Sequence, residues 1–230
     1  MPTPSVIKQY QYSDSINRRY WDQNYWFDNF SVNPVTSAVG GGAATGVAGD
    51  NNVLYTRFGA YEWNVIGTQT ILAPKLDTFG LNLVQDNTNG DGIELCMGHT
   101  ALCPIGFTVG SDAAFFLQAQ FKVQDVSGAN PLIIGFRKAQ AFDATLANYT
   151  DFAAIGIVGT AGKIQTETQV NTGGVVTTDS TQTAVDGAVF QVKIKVSSSG
   201  VVTYEYNYAA PTVVAAFTFD SGDYVIPFIR

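Results

Sequence analysis

The sequence predicts an all-β protein: an antiparallel jelly-roll sandwich over residues 51 to 230, preceded over residues 1 to 50 by an extended aromatic arm and a Gly-rich linker. Three observations carry this expectation. Apolar and polar residues alternate with a period of two through most of the chain after residue 53. Gly, Asn, Asp and Ser punctuate almost every gap between these runs, and the helices of about ten to fifteen residues that a parallel α/β sheet needs are missing. Finally, 230 residues that are 46% hydrophobic can bury a core, while 13% charged residues are too few for long salt-bridged helices or coiled coils.

Taken in order, residues 1 to 35 are polar and aromatic, with Tyr10, Tyr12, Tyr20, Trp21, Tyr25, Trp26, Phe27 and Phe30 but almost no aliphatic partners. Such a segment cannot build its own core. Residues 14–30 form the one weak helical candidate, since Ile16, Tyr20, Phe27 and Phe30 fall near one face but Ala and Leu are lacking. Residues 37 to 52 are small and Gly-rich, which suits a hinge between arm and body. In the body, Leu117, Ala119, Phe121 and Val123 share one strand face, and Gln118, Gln120 and Lys122 share the other. Residues 190–196 repeat the pattern, with Lys193 and Lys195 facing water. After the turn 197–200, the Val- and Tyr-rich run 201–208 completes a hairpin. Further strands are predicted at 64–72, 81–83, 92–97, 131–137, 153–158, 163–170 and 224–228. No repeat of fixed period is present, so solenoids and propellers are excluded.

Charge and motif content then remove several function classes. With 12 Lys plus Arg against 19 Asp plus Glu, the net charge of -7 supplies no broad footprint for nucleic acid. No apolar run approaches the roughly twenty residues of a membrane span, and the start has no secretory signal pattern, so synthesis in a cytoplasm is expected. Cys96, His99 and Cys103 lie close in sequence, but their spacing matches no standard zinc site; two reduced thiols near a loop are the simpler reading, with later cross-linking open in an oxidising medium. The single histidine and the absence of a Gly-x-Ser-x-Gly elbow argue against a nucleophilic hydrolase. Gly40, Gly41 and Gly42 lack the Gly-Lys-Ser/Thr of a phosphate cradle. Of the four glutamates, Glu62, Glu94, Glu167 and Glu205, two (Glu94 and Glu205) sit in predicted strands where a glycosidase cleft could use them, although no spacing puts two acids on one strand face. The loop 86–92 crowds oxygen ligands, but it departs from the EF-hand pattern and its Asn-Gly and Asp-Gly pairs favour hairpin turns over calcium. No catalytic residue, metal site or cofactor is therefore assigned, and a non-enzyme is expected.

The most unusual stretch is Arg18, Arg19, Tyr20, Trp21, Asp22, Gln23, Asn24, Tyr25, Trp26, Phe27 and Asp28. Arg18, Arg19, Tyr20, Trp21, Tyr25, Trp26 and Phe27 are the candidate partner-binding residues, because Trp, Tyr and Arg are the usual anchors of protein interfaces. Packing back on the sandwich, or stacking on sugars, would bury the same rings.

The body from about residue 113 to 228 resembles a family of tailed-phage virion proteins that carry a concanavalin-like or laminin-G-like jelly roll. The residues that carry the resemblance are Phe115-Phe116-Leu117 through Phe121-Lys122-Val123-Gln124-Asp125-Val126-Ser127-Gly128, then Gly135-Phe136-Arg137-Lys138, Tyr149-Thr150-Asp151-Phe152-Ala153-Ala154-Ile155-Gly156 and Phe217-Thr218-Phe219-Asp220-Ser221-Gly222-Asp223-Tyr224-Val225-Ile226-Pro227-Phe228. This resemblance implies a structural role as a capsid decoration or cement protein on the outer virion surface. The implied partners are the major capsid protein and neighbouring copies of the chain in a homo-oligomer, a trimer among the options, with no nucleic acid and no membrane. A tail or fibre module that binds host glycans in a lectin-like way is the alternative. A rigid body plus an extension that lies across neighbouring subunits, in an array where multivalency compensates modest contacts, is consistent with the first role.

Overall fold

The computed structural model describes residues 63–67, 80–81, 90, 92–97, 106–126, 131–159 and 162–230 in full, and the strand backbone alone at 35–38, 51–56, 59–62, 75–77, 82, 98–99 and 103–104. The candidate arm residues Arg18, Arg19, Tyr20, Trp21, Tyr25, Trp26 and Phe27, and the helical candidate 14–30, lie outside the described residues.

In chain order the strands are β1 Val35–Ala38, β2 Asn51–Thr56, β3 Gly59–Ile66, β4 Lys75–Asp77, β5 Gly80–Asn82, β6 Gly92–His99, β7 Cys103–Pro104 and β8 Phe107–Thr108. There follow β9 Phe115–Lys122, β10 Leu132–Lys138, β11 Phe152–Ile157, β12 Lys163–Gln169, β13 Val176–Thr183, β14 Val189–Val196, β15 Val202–Tyr206 and β16 Tyr224–Ile229. Helical backbone among the described residues is confined to a 3-10 turn at Leu146–Asn148 and to Gly162 just before β12. Every pairing is antiparallel. One long sheet runs β1-β2-β3-β6-β16-β10-β11-β12-β13, with β7 joined to β6 and β8 to β16. A short sheet runs β15-β14-β9, and β4 pairs with β5. The all-β antiparallel jelly-roll sandwich expected from the sequence is the fold.

The period-two pattern places the core between the two sheets. From the short sheet, Phe115, Phe190, Val192, Ile194, Val196, Val202 and Tyr204 point inward; from the long sheet, Ile134, Phe136, Ala153, Ile155, Ile157, Ile164 and Val225 meet them. Phe107, Phe115 and Phe136 join the layers as a ring cluster, stacked at 4.3 Å between Phe107 and Phe115 and edge-to-face at 4.9 Å between Phe115 and Phe136. Trp63, Ile93 and Leu95 extend this inner layer, with Ile229 packed against both groups.

Several strands depart from the sequence expectation, each for a local reason. The strand expected at 64–72 is β3, which begins earlier at Gly59 and ends at Ile66. The edge strand β13 reads Val-Thr-Thr-Asp-Ser-Thr-Gln-Thr and carries no apolar face for periodicity to detect. The expected linker, 37 to 52, overlaps paired strands at both ends, because Val35–Ala38 registers against β2 from Val35↔Tyr55 to Ala38↔Asn52. Gly90 sits in an exposed turn at φ 93°, a conformation that an Asn-Gly turn supplies cheaply. Asp86 and Asp91 of the calcium candidate loop lie outside the described residues.

Candidate functional site

The outer face of the long sheet, turned away from the short sheet, is covered by the loop 139–151. Here sequence alternation places ionisable groups where the rest of the layer is apolar: Cys96, Ile133, Phe152, Ala154, Ile226 and Phe228 pack beneath Tyr149, with Leu146 and Ala139 at the margin. Glu94, between Ile93 and Leu95 on β6, points into this layer and is fully buried, as is Arg137 at the end of β10.

Glu94 Oε1 is the hub. It accepts hydrogen bonds from Arg137 Nε at 3.2 Å and Nη2 at 3.1 Å, from the Tyr149 hydroxyl at 2.9 Å, and from the Cys96 thiol at 3.3 Å. Arg137 Nη2 also donates to Cys96 Sγ at 3.2 Å, and the guanidinium carbon lies 4.3 Å from the centre of the Tyr149 ring. The second carboxylate oxygen faces Arg230 Nη1 at 3.5 Å, an ion pair rather than a hydrogen bond. Burial alone would push the Arg137 guanidinium down, but Cys96, Glu94 and Tyr149 beside it outweigh that and hold it above its ordinary value. Burial, then the neighbouring Glu94 carboxylate, pushes the Tyr149 phenol well above its usual range.

From this hub the bonds run into the loop. Arg137 Nη1 donates to the carbonyls of Lys138 (3.3 Å) and Gln140 (3.0 Å), and the Tyr149 oxygen accepts the Asp143 N–H at 3.1 Å. Arg230 donates to the carbonyls of Asp143 and Ala144, and Gln169 to those of Ala147 and Tyr149. Asp143 accepts the Thr145 N–H at 2.7 Å and the Asn148 amide at 3.0 Å, in that order the reasons its carboxyl is held below the usual range. The arrangement is a staple: a charge pair enclosed by the sheet fixes the loop that encloses it.

Beside the staple lies a groove of about 420 Å³, with Leu146, Val158 and Val175 on its apolar side and Glu167, Thr177 and Arg230 on its polar side. Glu167 Oε1 accepts the Thr177 hydroxyl at 3.1 Å. Burial raises the Glu167 carboxyl above its ordinary value, against the smaller lowering pull of Thr177 and Arg230. Glu167 is the one carboxylate lining this groove, whereas a glycoside-cleaving pair needs two acids flanking one bond.

The acids that the sequence offered for a cleft are separated by the fold. Glu94 is sealed under the loop on the long sheet, and Glu205 lies on the short sheet paired with Lys195. The Cys96, His99, Cys103 cluster does not converge as backbone: His99 registers opposite Cys103, leaving Cys96 three residues, roughly 10 Å, along the ladder. A direct Cys96–Cys103 cross-link does not fit that separation, since a disulfide needs Cα atoms within about 7 Å; Cys96 is buried against Glu94 and Arg137. Among the described residues no three His, Cys, Asp or Glu side chains group to hold a metal, and no helix is long and apolar enough to cross a membrane. Sequence reasoning missed Arg137, Tyr149 and Arg230. The available signal was an ionisable residue inside an aliphatic strand, Glu94 between Ile93 and Leu95 and Arg137 after Ile133, Ile134 and Phe136.

No family model matches the chain, and no curated protein matches it. Among solved structures, it is similar to an alginate lyase from Pseudomonas aeruginosa (TM-score 0.42, 16% identity, covering 77% of this chain and 76% of that one). It is also similar to a protein described as a native glycosidic hydrolase (TM-score 0.33, 9% identity, covering 90% and 85%). At these identities the likeness concerns the β-sandwich architecture alone.

Proposed function

We propose that this chain is a non-enzymatic structural protein of a virion, a decoration or cement protein that sits on the outer capsid and binds the major capsid protein and neighbouring copies of itself. The observation that supports the non-enzymatic part is the staple. Two strongly perturbed ionisable groups among the described residues, Arg137 and Tyr149, with Glu94 between them, are closed to solvent and spent on holding a loop. Perturbed groups of that kind mark a catalytic site only when a substrate can reach them. The binding part rests on the resemblance and on residues 1 to 34, whose Trp, Tyr and Arg content without aliphatic filling suits a segment that is buried against another subunit. The test is deletion of residues 1–34, which keeps β1 intact. The truncated body retains its melting transition and loses its occupancy on purified shells in co-sedimentation; full occupancy by the truncated body refutes the role of the arm. A tail or fibre location is the alternative placement, and electron microscopy of the assembled particle distinguishes it.

A further inference from the structure

The groove beside the staple has an apolar side and a polar side, and the molecule's own side chains leave both incomplete. Leu146, Val158 and Val175 are only partly buried there, so apolar surface stays open to an incoming group. On the polar side, Glu167 Oε1 accepts the Thr177 hydroxyl at 3.1 Å, while Oε2 makes no hydrogen bond among the described residues. Arg230, the one cation in the lining, is already engaged: it faces Glu94 Oε2 at 3.5 Å and donates to the carbonyls of Asp143 and Ala144. Its pull on Glu167 is too small to offset burial, which leaves that carboxyl above its ordinary value. The groove therefore lacks a cation on one side and a hydrophobic group on the other. Its volume of about 420 Å³ gives room for one ring and the planar head of an arginine, at the lower end of the roughly 300–1,000 Å³ of ligand pockets.

We propose that this groove receives the arm of a second copy of the chain, a guanidinium of Arg18 or Arg19 on Glu167 and the Trp21 ring against Leu146, Val158 and Val175. The inference rests on the reading of the arm as a segment buried against another subunit, and it names that subunit. Arg18 and Arg19 are the chain's only Arg–Arg pair, and Tyr20 and Trp21 follow them directly. A guanidinium and the Trp21 ring share one side of the segment whether it is extended, through Arg19, or helical, through Arg18. Arginine suits a carboxylate with one oxygen still free, because its planar fork presents several donors. Each copy carries a net charge of -7, so copies repel unless a contact joins opposite charges locally, as this one does. The sheet disfavours docking within one copy. Register runs from Glu167 through Ala154, Gly135, Phe228, Cys96, Glu62 and Val53 to Ser37 on β1, seven strand spacings or roughly 34 Å away. An arm leaving β1 would have to cross the outer face that loop 139–151 covers. A neighbouring copy reaches the groove without that crossing.

The experiment is sedimentation velocity of the full chain in about 0.15 M salt, where repulsion beyond roughly 8 Å is screened. The wild type self-associates as its concentration rises. Trp21→Ala, Glu167→Arg and the double change Arg18→Glu with Arg19→Glu each weaken association about tenfold. Glu205→Arg, the same change of charge on the short sheet, leaves it unchanged. The arm variants precede β1, so they test the contact independently of any effect of Glu167→Arg on the melting temperature. An equimolar mixture of Glu167→Arg chains with Arg18→Glu, Arg19→Glu chains regains association, because every contact between unlike copies then joins opposite charges. A wild type that stays monomeric overturns the proposal, as does association that Glu167→Arg leaves intact. A mixture that stays dissociated overturns docking between copies. Shell occupancy of the same variants separates this contact from the decoration role: occupancy lost on deletion of residues 1–34, with self-association kept by Glu167→Arg, refutes the groove and leaves the arm's role on the shell in place.

Discussion

At the scale of single residues, the Glu94–Arg137 pair governs the outer layer of the long sheet. Both side chains have no exposure, so removing one leaves the other charged in an apolar layer. Arg137→Ala is expected to lower stability in urea unfolding by about 3–5 kcal/mol, and the double variant Glu94→Gln with Arg137→Met by less than the two single changes combined, because it removes both charges. Glu167 makes a pH-dependent prediction. Its folded-state pKa lies above that of the unfolded chain, through burial first, so its contribution is fully present below the unfolded value of about 4.3 and is lost as pH rises through the folded value. Glu167→Gln, which keeps an oxygen to accept the Thr177 hydroxyl, therefore raises the melting temperature at pH 7 and leaves it unchanged near pH 3.5; equal effects at both values would contradict the burial argument.

Among the elements, β10 and β11 lie close enough that a side chain is excluded at particular outer-face positions. Gly135 registers against Ala154, and a Cβ added at Gly135 would lie 2.9 Å from the Ala154 Cα and against the Ala153 carbonyl oxygen, both backbone atoms that cannot rotate away. Gly135→Ala is expected to destabilise the protein by roughly 1–3 kcal/mol through separation of these strands, measured by denaturant unfolding. Hydrogen exchange adds a readout, since the Ile134, Gly135 and Phe136 amides lie at the strained contact. The same two strands carry the staple, with Arg137 at the end of β10 registered against Phe152 at the start of β11. Close packing of the sheet and closure of the loop over it are one construction.

For the molecule as a whole, the two sheets share a core and should unfold together. Phe136 is fully buried and contacts Phe107 and Phe115, so it links the long sheet to β9 of the short one. Phe136→Ala is expected to cost about 3–5 kcal/mol and to lower a single cooperative transition, seen at the same midpoint by far-UV circular dichroism and tyrosine fluorescence. Two separate midpoints would show that the sheets are independent units. The stapled outer face of the long sheet and the outer face of the short sheet lie on opposite sides of this shared core, so each can be altered without the other.

Local pattern alone determined the all-β class, the hairpin of β14 and β15, and which way Gln118, Lys122, Lys193 and Lys195 face, because alternation along a strand depends on neighbours in sequence. It left β13 unseen, since a Thr-rich edge strand needs no apolar stripe, and it could not place the C-terminal strand β16 between β6 and β10. That insertion is what carries Arg137 to Glu94, 43 positions away, and brings Tyr149 over both, 55 positions from Glu94. Strand order and register across such separations are settled by burial of both sheets at once, so only the tertiary structure decided that these charges form a closed staple and that Glu94 and Glu205 stand on different sheets.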